Sequence, residues 1–177
     1  MSTIGSDKLV SPWTVDIAAG DVQDLASSLD MQGDVDYEFE AWFTTTSATA
    51  RFDWQPDETS ANQEYVASPS VNFTPSTGTI NGGGAVSFTA DDGFIIDEGE
   101  PIGSDFLVRG GIMQIPGAWR YVQWRMYTRL DGEVFRLVNR WDGVYKVTTP
   151  ITKWRIHADE AGAIKSGSVL RLRRVTP

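Results

Sequence analysis

The chain has no cysteine and a single histidine, His157, in 177 residues. Without cysteine there is no disulfide, no thiolate metal site and no thiol nucleophile, and the redox compartment is left open. One histidine is too few for a histidine-rich metal centre. His157 falls on the polar side of a predicted strand beside Arg155 and reads as a surface residue before it reads as a catalyst. No apolar run approaches the ~20 residues of a membrane span, and Met1 to Lys8 lacks the basic and apolar regions of a signal peptide. The expectation is a protein made and kept in the cytosol, or assembled from there, with no membrane partner. A phosphate loop is also missing: Asn81-Gly82-Gly83-Gly84 has no downstream Lys-Ser/Thr and no helix after it.

Basic residues are scarce in the first half. Residues 1–100 hold 18 Asp/Glu against 2 Lys/Arg, a net −16, while residues 101–177 hold 6 against 13, a net +7, which together make the −9 of the whole chain. Two such halves can neutralise each other across strands of one fold, or complement neighbouring copies or a partner. Pairing within the fold is favoured. The overall acidity argues against nucleic-acid binding, which needs a positive footprint.

What is present is alternation. In the stretch 119–130, Val122, Trp124, Met126, Thr128 and Leu130 share one side, and Tyr121, Gln123, Arg125, Tyr127 and Arg129 the other. Successive side chains of a strand point to opposite faces, so this is a long strand with one apolar and one cationic-aromatic face. Residues 36–44 place Tyr37, Phe39, Ala41 and Phe43 inward; residues 49–54 do the same with Ala50, Phe52 and Trp54. The Thr-rich link between these two predicts a hairpin with Glu40 near Arg51. Residues 20–30 fit either a short helix or a strand, with the strand, carrying Leu25, Ser27 and Leu29 on one face, preferred.

Further along, 55–64 reads as a loop, and Tyr65 to Ala67 and Ser70 to Thr74 as short strands split by Pro69. The glycines at 82–84 predict a flexible loop or wide turn. Ala85 to Thr89, Phe94 to Ile96 and Phe106 to Val108 are short strand candidates. Asp131-Gly132 is the strongest hairpin signal, sending 133–141 back antiparallel, and Asp142-Gly143 predicts a second tight turn. Two closing strands follow, with Trp154, Ile156 and Ala158, then Leu170 and Leu172, inward. Many short strands with frequent turn signals and a large aromatic core predict an all-β, antiparallel β-sandwich in one domain, 14–177, preceded by an extended N-terminal arm, 1–13.

Carboxylates are the abundant residue type with catalytic potential. Asp34, Asp36, Glu38 and Glu40 share a strand face, where pairing with arginines of the C-terminal half is the favoured role and a calcium site the minor one. No carboxylate pair is singled out for glycoside hydrolysis. No catalytic residue, metal site or cofactor is therefore assigned, and the chain is not expected to be an enzyme. Seven tryptophans are many for this length. Trp54, Trp124 and Trp154 fall on core faces; Trp42, Trp119, Tyr121 and Tyr127 fall on faces otherwise polar. Aromatics beside arginine are the composition of protein interfaces, and also of sugar-stacking platforms.

The closing segment W-R-I-H-A-D-E-A-G-A-I-K-S-G-S-V-L-R-L-R-R-V, residues 154–175, resembles the last strand–loop–strand of tailed-bacteriophage virion proteins. Gly167-Ser168 matches a Gly-Ser in that pattern, and Leu170 and Leu172 match its apolar alternation; Arg173-Arg174 stands where Tyr-Gly is usual. The long strand 119–130 and the acidic Gly33-Asp34-Val35-Asp36-Tyr37 are also similar to that group. The resemblance implies a jelly-roll-like sandwich and a capsid decoration (cement) protein on the outside of a phage head, made in the bacterial host cytoplasm. Its partners would be the major capsid protein and further copies of itself, as a homodimer or homotrimer. The contact residues expected on this reading are Trp13, Trp42, Trp119, Tyr121, Arg125 and Tyr127. The alternative is a tail- or fibre-associated carbohydrate-binding or adaptor module.

Overall fold

The computed structural model describes residues 14–27, 35–57, 63–67, 71–74, 79–82, 86–89, 94–98, 102–113, 119–130, 134–149 and 151–175; for residue 14, residues 63–98, residue 130 and residues 134–141 it describes the backbone path alone. These residues form strands and no helix: β1 (Thr14–Ile17), β2 (Asp24–Ser27), β3 (Asp36–Thr44), β4 (Arg51–Pro56), β5 (Gln63–Ala67), β6 (Val71–Thr74), β7 (Thr79–Gly82), β8 (Val86–Thr89), β9 (Phe94–Glu98), β10 (Asp105–Met113), β11 (Arg120–Leu130), β12 (Val134–Tyr145), β13 (Trp154–Ala158) and β14 (Val169–Val175). Strands β3, β11, β13 and β14 form where the apolar alternation is cleanest, since period-two burial is what a half-covered sheet requires.

All pairings are antiparallel. A larger sheet runs β1-β14-β3-β10-β11-β12-β5-β8, with β6 paired to β12 and to β7, and a smaller one runs β2-β13-β4-β9. Apart from the β5–β8 insertion and the β10-β11-β12 run, whose strands are neighbours in the larger sheet, the chain crosses between the sheets at every step. The resulting order, β1-β14-β3-β10 facing β2-β13-β4-β9, is that of a jelly roll, a two-sheet sandwich of Greek keys. The predicted sandwich and its jelly-roll character are therefore what the chain adopts. The predicted arm, 1–13, lies outside the described residues.

The core is aromatic and bridges the sheets. Phe39 of β3 packs on Trp54 of β4 at 4.6 Å and on Trp154 of β13 at 5.3 Å, centroid to centroid. Phe43 and Phe106 of the larger sheet meet Phe52 of the smaller at 5.1 and 5.5 Å. Trp54, Trp124 and Trp154 are all buried, as their strand faces predicted.

Several local expectations are corrected. Strands β3 and β4 are not a hairpin but lie in opposite sheets, so Glu40 faces Arg109 and Arg171 rather than Arg51. Asp142-Gly143 is no turn: β12 runs through it, opposite Gln123 and Val122. Asn81-Gly82 ends a strand, β7, paired to β6. The short strand predicted at Phe106 to Val108 extends through Gly110-Gly111 to Met113, forming β10 between β3 and β11. The strand reading of 20–30 holds as β2, with Leu25 and Ser27 buried.

Candidate functional site

The register of the larger sheet places its outward side chains in transverse rows. One row is Ile17, Val169, Trp42, Leu107 and Tyr127, one residue from each of β1, β14, β3, β10 and β11. It is apolar from end to end and crosses about 19 Å at the ~4.8 Å spacing of paired strands. Ile17 is 64%, Trp42 62% and Tyr127 36% exposed. Contiguous exposed apolar surface on an otherwise polar face marks a contact surface.

Two residues along each strand, ~7 Å away, lies a charged row: Val15, Arg171, Glu40, Arg109 and Arg125. Glu40 accepts from Arg109 at 2.7 Å and from Arg171 at 3.3 Å. In the next row Arg173 Nε donates to Glu38 at 2.6 Å. On the other side of the apolar row, Asp105 is bridged to Arg129 and accepts from Thr44 Oγ1 at 2.6 Å. The acidic strand β3 is thus neutralised by arginines from β10 and β14, the within-fold pairing that the charge segregation favoured. Each such surface pair contributes at most about 1 kcal/mol. Their larger effect is to fix which charges remain unmatched.

Between these rows the outer face dips over Gly110 and Gly111. One depression of 420 Å³ is lined by Glu38, Glu40, Arg109 and Arg173 beside the glycines; another of 260 Å³ by Arg109, Gln123 and Arg125. Both are open and shallow, not a cleft.

Of the residues singled out in the sequence, Trp42, Arg125 and Tyr127 come together here. Tyr121 lies on the same face of β11, six residues from Tyr127 and so ~20 Å away, donating to Asp142 Oδ1 at 3.2 Å. Trp119 is 50% exposed just before β11, with Lys146 Nζ 5.4 Å from its ring centroid. Trp13 lies outside the described residues. Ile17, Val169, Leu107 and Arg109 were not singled out. Only the β1-β14-β3-β10-β11 order aligns them with Trp42, and that order joins segments far apart in the chain.

The smaller sheet carries a second polar cluster. His157 is half-buried, not a plain surface residue, with Nδ1 2.6 Å from Asp24 Oδ1, and Arg155 reaches the same oxygen at 3.2 Å. Asp53, opposite His157 in register, is buried and accepts from Gln55 at 2.9 Å. Burial pushes the Asp53 carboxyl up to about 6, against the opposing pull of the Gln55 hydrogen bond and of His157, Arg51 and Arg155. Asp24 holds His157 much as a carboxylate holds a general base. Among the described residues, however, no serine or threonine hydroxyl is hydrogen-bonded to that ring. At the sandwich end, buried Arg120 donates to the carbonyls of Val147 and Thr148, and burial pushes the Tyr145 hydroxyl up to about 12. Among the described residues no group of three His, Asp or Glu side chains is placed to hold a metal ion, and no helix is long and apolar enough to cross a membrane.

No family model matches the chain, and no curated protein or solved structure matches it.

Proposed function

We propose that this protein is a structural component of a tailed-phage virion: a decoration protein that sits on the outside of the head, bridges neighbouring major capsid protein subunits and stabilises the shell by non-covalent contacts. The observation that carries the reading is the outward apolar row Ile17–Val169–Trp42–Leu107–Tyr127, of which Ile17, Trp42 and Tyr127 are exposed and Val169 and Leu107 half-buried. A protein that works by covering a surface needs a broad, stiff face with aromatic anchors, and this face is built on a sheet. Paired charges flank the row on both sides, as a polar rim flanks the apolar centre of an interface. The jelly roll supports the reading by analogy alone, since that architecture serves many functions. The Gly-Ser of the phage-like segment has a backbone reason. Gly167 takes φ +88° and Ser168 Oγ donates to Lys165 O at 2.6 Å, closing the turn that feeds β14.

The test is cosedimentation of the purified chain with phage heads assembled without it, followed by heating of the heads. Saturable binding at a fixed ratio to the capsid subunit, with a higher rupture temperature, is the expected result. Folded protein that ignores such heads would overturn the head assignment. Binding to host glycan instead would move Trp42 and Trp119 to the role of sugar-stacking residues in a tail or fibre module.

A further inference from the structure

We propose that the depression beside Gly110 and Gly111 receives an aspartate or glutamate side chain from an extended partner segment. In that segment an apolar residue stands two positions from the acid.

Along the charged row, sign alternates and then stops alternating: Arg171, Glu40, Arg109, Arg125. Arg109 and Arg125 stand directly opposite each other on β10 and β11, and the β12 register sets a further arginine, Arg140, opposite Arg125. Like charges opposed across a ladder destabilise a sheet unless an anion lies between them. Glu40 is shared between Arg109 and Arg171, while Arg125 takes part in no ion pair among the described residues. Among the described residues the face is thus short of one carboxylate at Arg125.

The shape fits a side chain. Gly111 has no side chain to fill the outer face, and the 260 Å³ depression is lined by Arg109, Arg125 and Gln123, with no carboxylate among the described residues of its lining. It falls below the ~300 Å³ at which pockets begin to bury a free small ligand. Its anion must therefore be held by contacts outside the depression, and the apolar row supplies them. Leu107 and Tyr127 lie two residues from Arg109 and Arg125, which is ~7 Å along the strands. That is also the distance between side chains i and i+2 on one side of an extended segment. A segment lying along β10 and β11 would set its apolar residue on Leu107 and Tyr127, with its carboxylate between Arg109 and Arg125. A polyanion such as nucleic acid fits worse, because Glu38 and Glu40 line the adjoining depression and would repel its next phosphate.

The inference rests on reading this face as the docking face, and its test uses no virion, so the two can fail separately. The full chain is titrated with a short capped peptide carrying leucine two positions before glutamate, and amide shifts are followed by NMR. Controls are the same peptide with glutamine for glutamate, and sodium sulfate alone. The expected result is saturable shifts at Gly110, Gly111, Gln123 and Arg125 that weaken about tenfold with the glutamine peptide and about tenfold in Arg125→Gln, as for loss of one charge-assisted bidentate contact. Arg125 is exposed and takes part in no ion pair among the described residues, so an unchanged amide spectrum elsewhere verifies that the variant folds. Equal binding of the glutamine peptide, or shifts confined to other faces, would overturn the proposal. So would sulfate shifting these amides while the peptide does not, which would make the depression a site for an adventitious ion only.

Discussion

Gly110 of β10 lies opposite Phe39 of β3, and the Phe39 ring occupies the space where a Gly110 side chain would stand. A Cβ there would overlap both that ring and the Gln123 carbonyl of β11. Neither can yield cheaply, because the ring is fixed between Trp54 and Trp154 and the carbonyl belongs to the sheet. Gly110→Ala is expected to destabilise the fold by about 1–3 kcal/mol. Gly111→Ala, whose Cβ would make only an ordinary contact with the Tyr37 carbonyl at 3.6 Å, should cost much less. Urea unfolding of the two variants decides; equal losses would refute the account of Phe39.

Asp53 makes stability pH-dependent in an unusual direction. Its carboxyl is raised from 3.8 to about 6 by burial, so the folded chain binds a proton there more tightly than the unfolded chain does. A raised acid favours the fold below its unfolded value, and that contribution is lost as pH rises from about 4 to about 6. The full swing is of order 3 kcal/mol. Asp53→Asn should therefore flatten the pH dependence of unfolding free energy across this window relative to the unaltered chain. Parallel curves for the two proteins would show that Asp53 is not the titrating group.

Two tryptophans separate stability from docking. Trp154 is buried at the centre of the sandwich, stacked with Trp54 at 5.5 Å. Trp154→Ala should cost about 3–5 kcal/mol, the usual loss for deleting a buried aromatic. Trp42 is 62% exposed, and Trp42→Ala should move the unfolding midpoint little while weakening binding to heads by at least about 2 kcal/mol, as for an interface anchor. Calorimetry and cosedimentation of both variants check the contrast. Head binding undiminished in folded Trp42→Ala would remove the apolar row from the contact.

The two tryptophans were equally legible in the sequence, because period-two alternation sorts inward from outward residues without knowledge of strand partners. The same signal gave the faces of β11, β13 and β14 correctly. Partner identity was not legible. In a jelly roll the neighbours of β3 are β10 and β14, and the chain between them includes most of the molecule. The local hairpin drawn between β3 and β4 lost to that topology. Asp142-Gly143 failed as a turn for a related reason: pairing to Gln123 and Val122 on one side and to Val66 and Tyr65 on the other outweighs a local turn preference. For the site, the exposed aromatics and Arg125 could be read from alternation. Ile17, Val169 and Leu107 could not, since nothing local separates an apolar residue in an exposed row from one under a covering strand.

Glu40 tests whether the charge rows matter to the fold. It is the one carboxylate in the row with Arg171, Arg109 and Arg125, and Glu40→Gln would leave three arginines in line with none. The pairs are partly solvated, with Arg109 61% and Arg171 43% exposed at the side chain. The expected loss is therefore about 1 kcal/mol at low salt. It should shrink as salt is raised toward 1 M, where the Debye length falls to about 3 Å. A second change, Arg171→Gln in the Glu40→Gln background, should recover part of the loss by removing one of the opposed charges. If the loss is independent of salt and the second change adds to it, Glu40 acts by packing rather than by charge. Thermal unfolding of the single and double variants over a salt series separates the two outcomes.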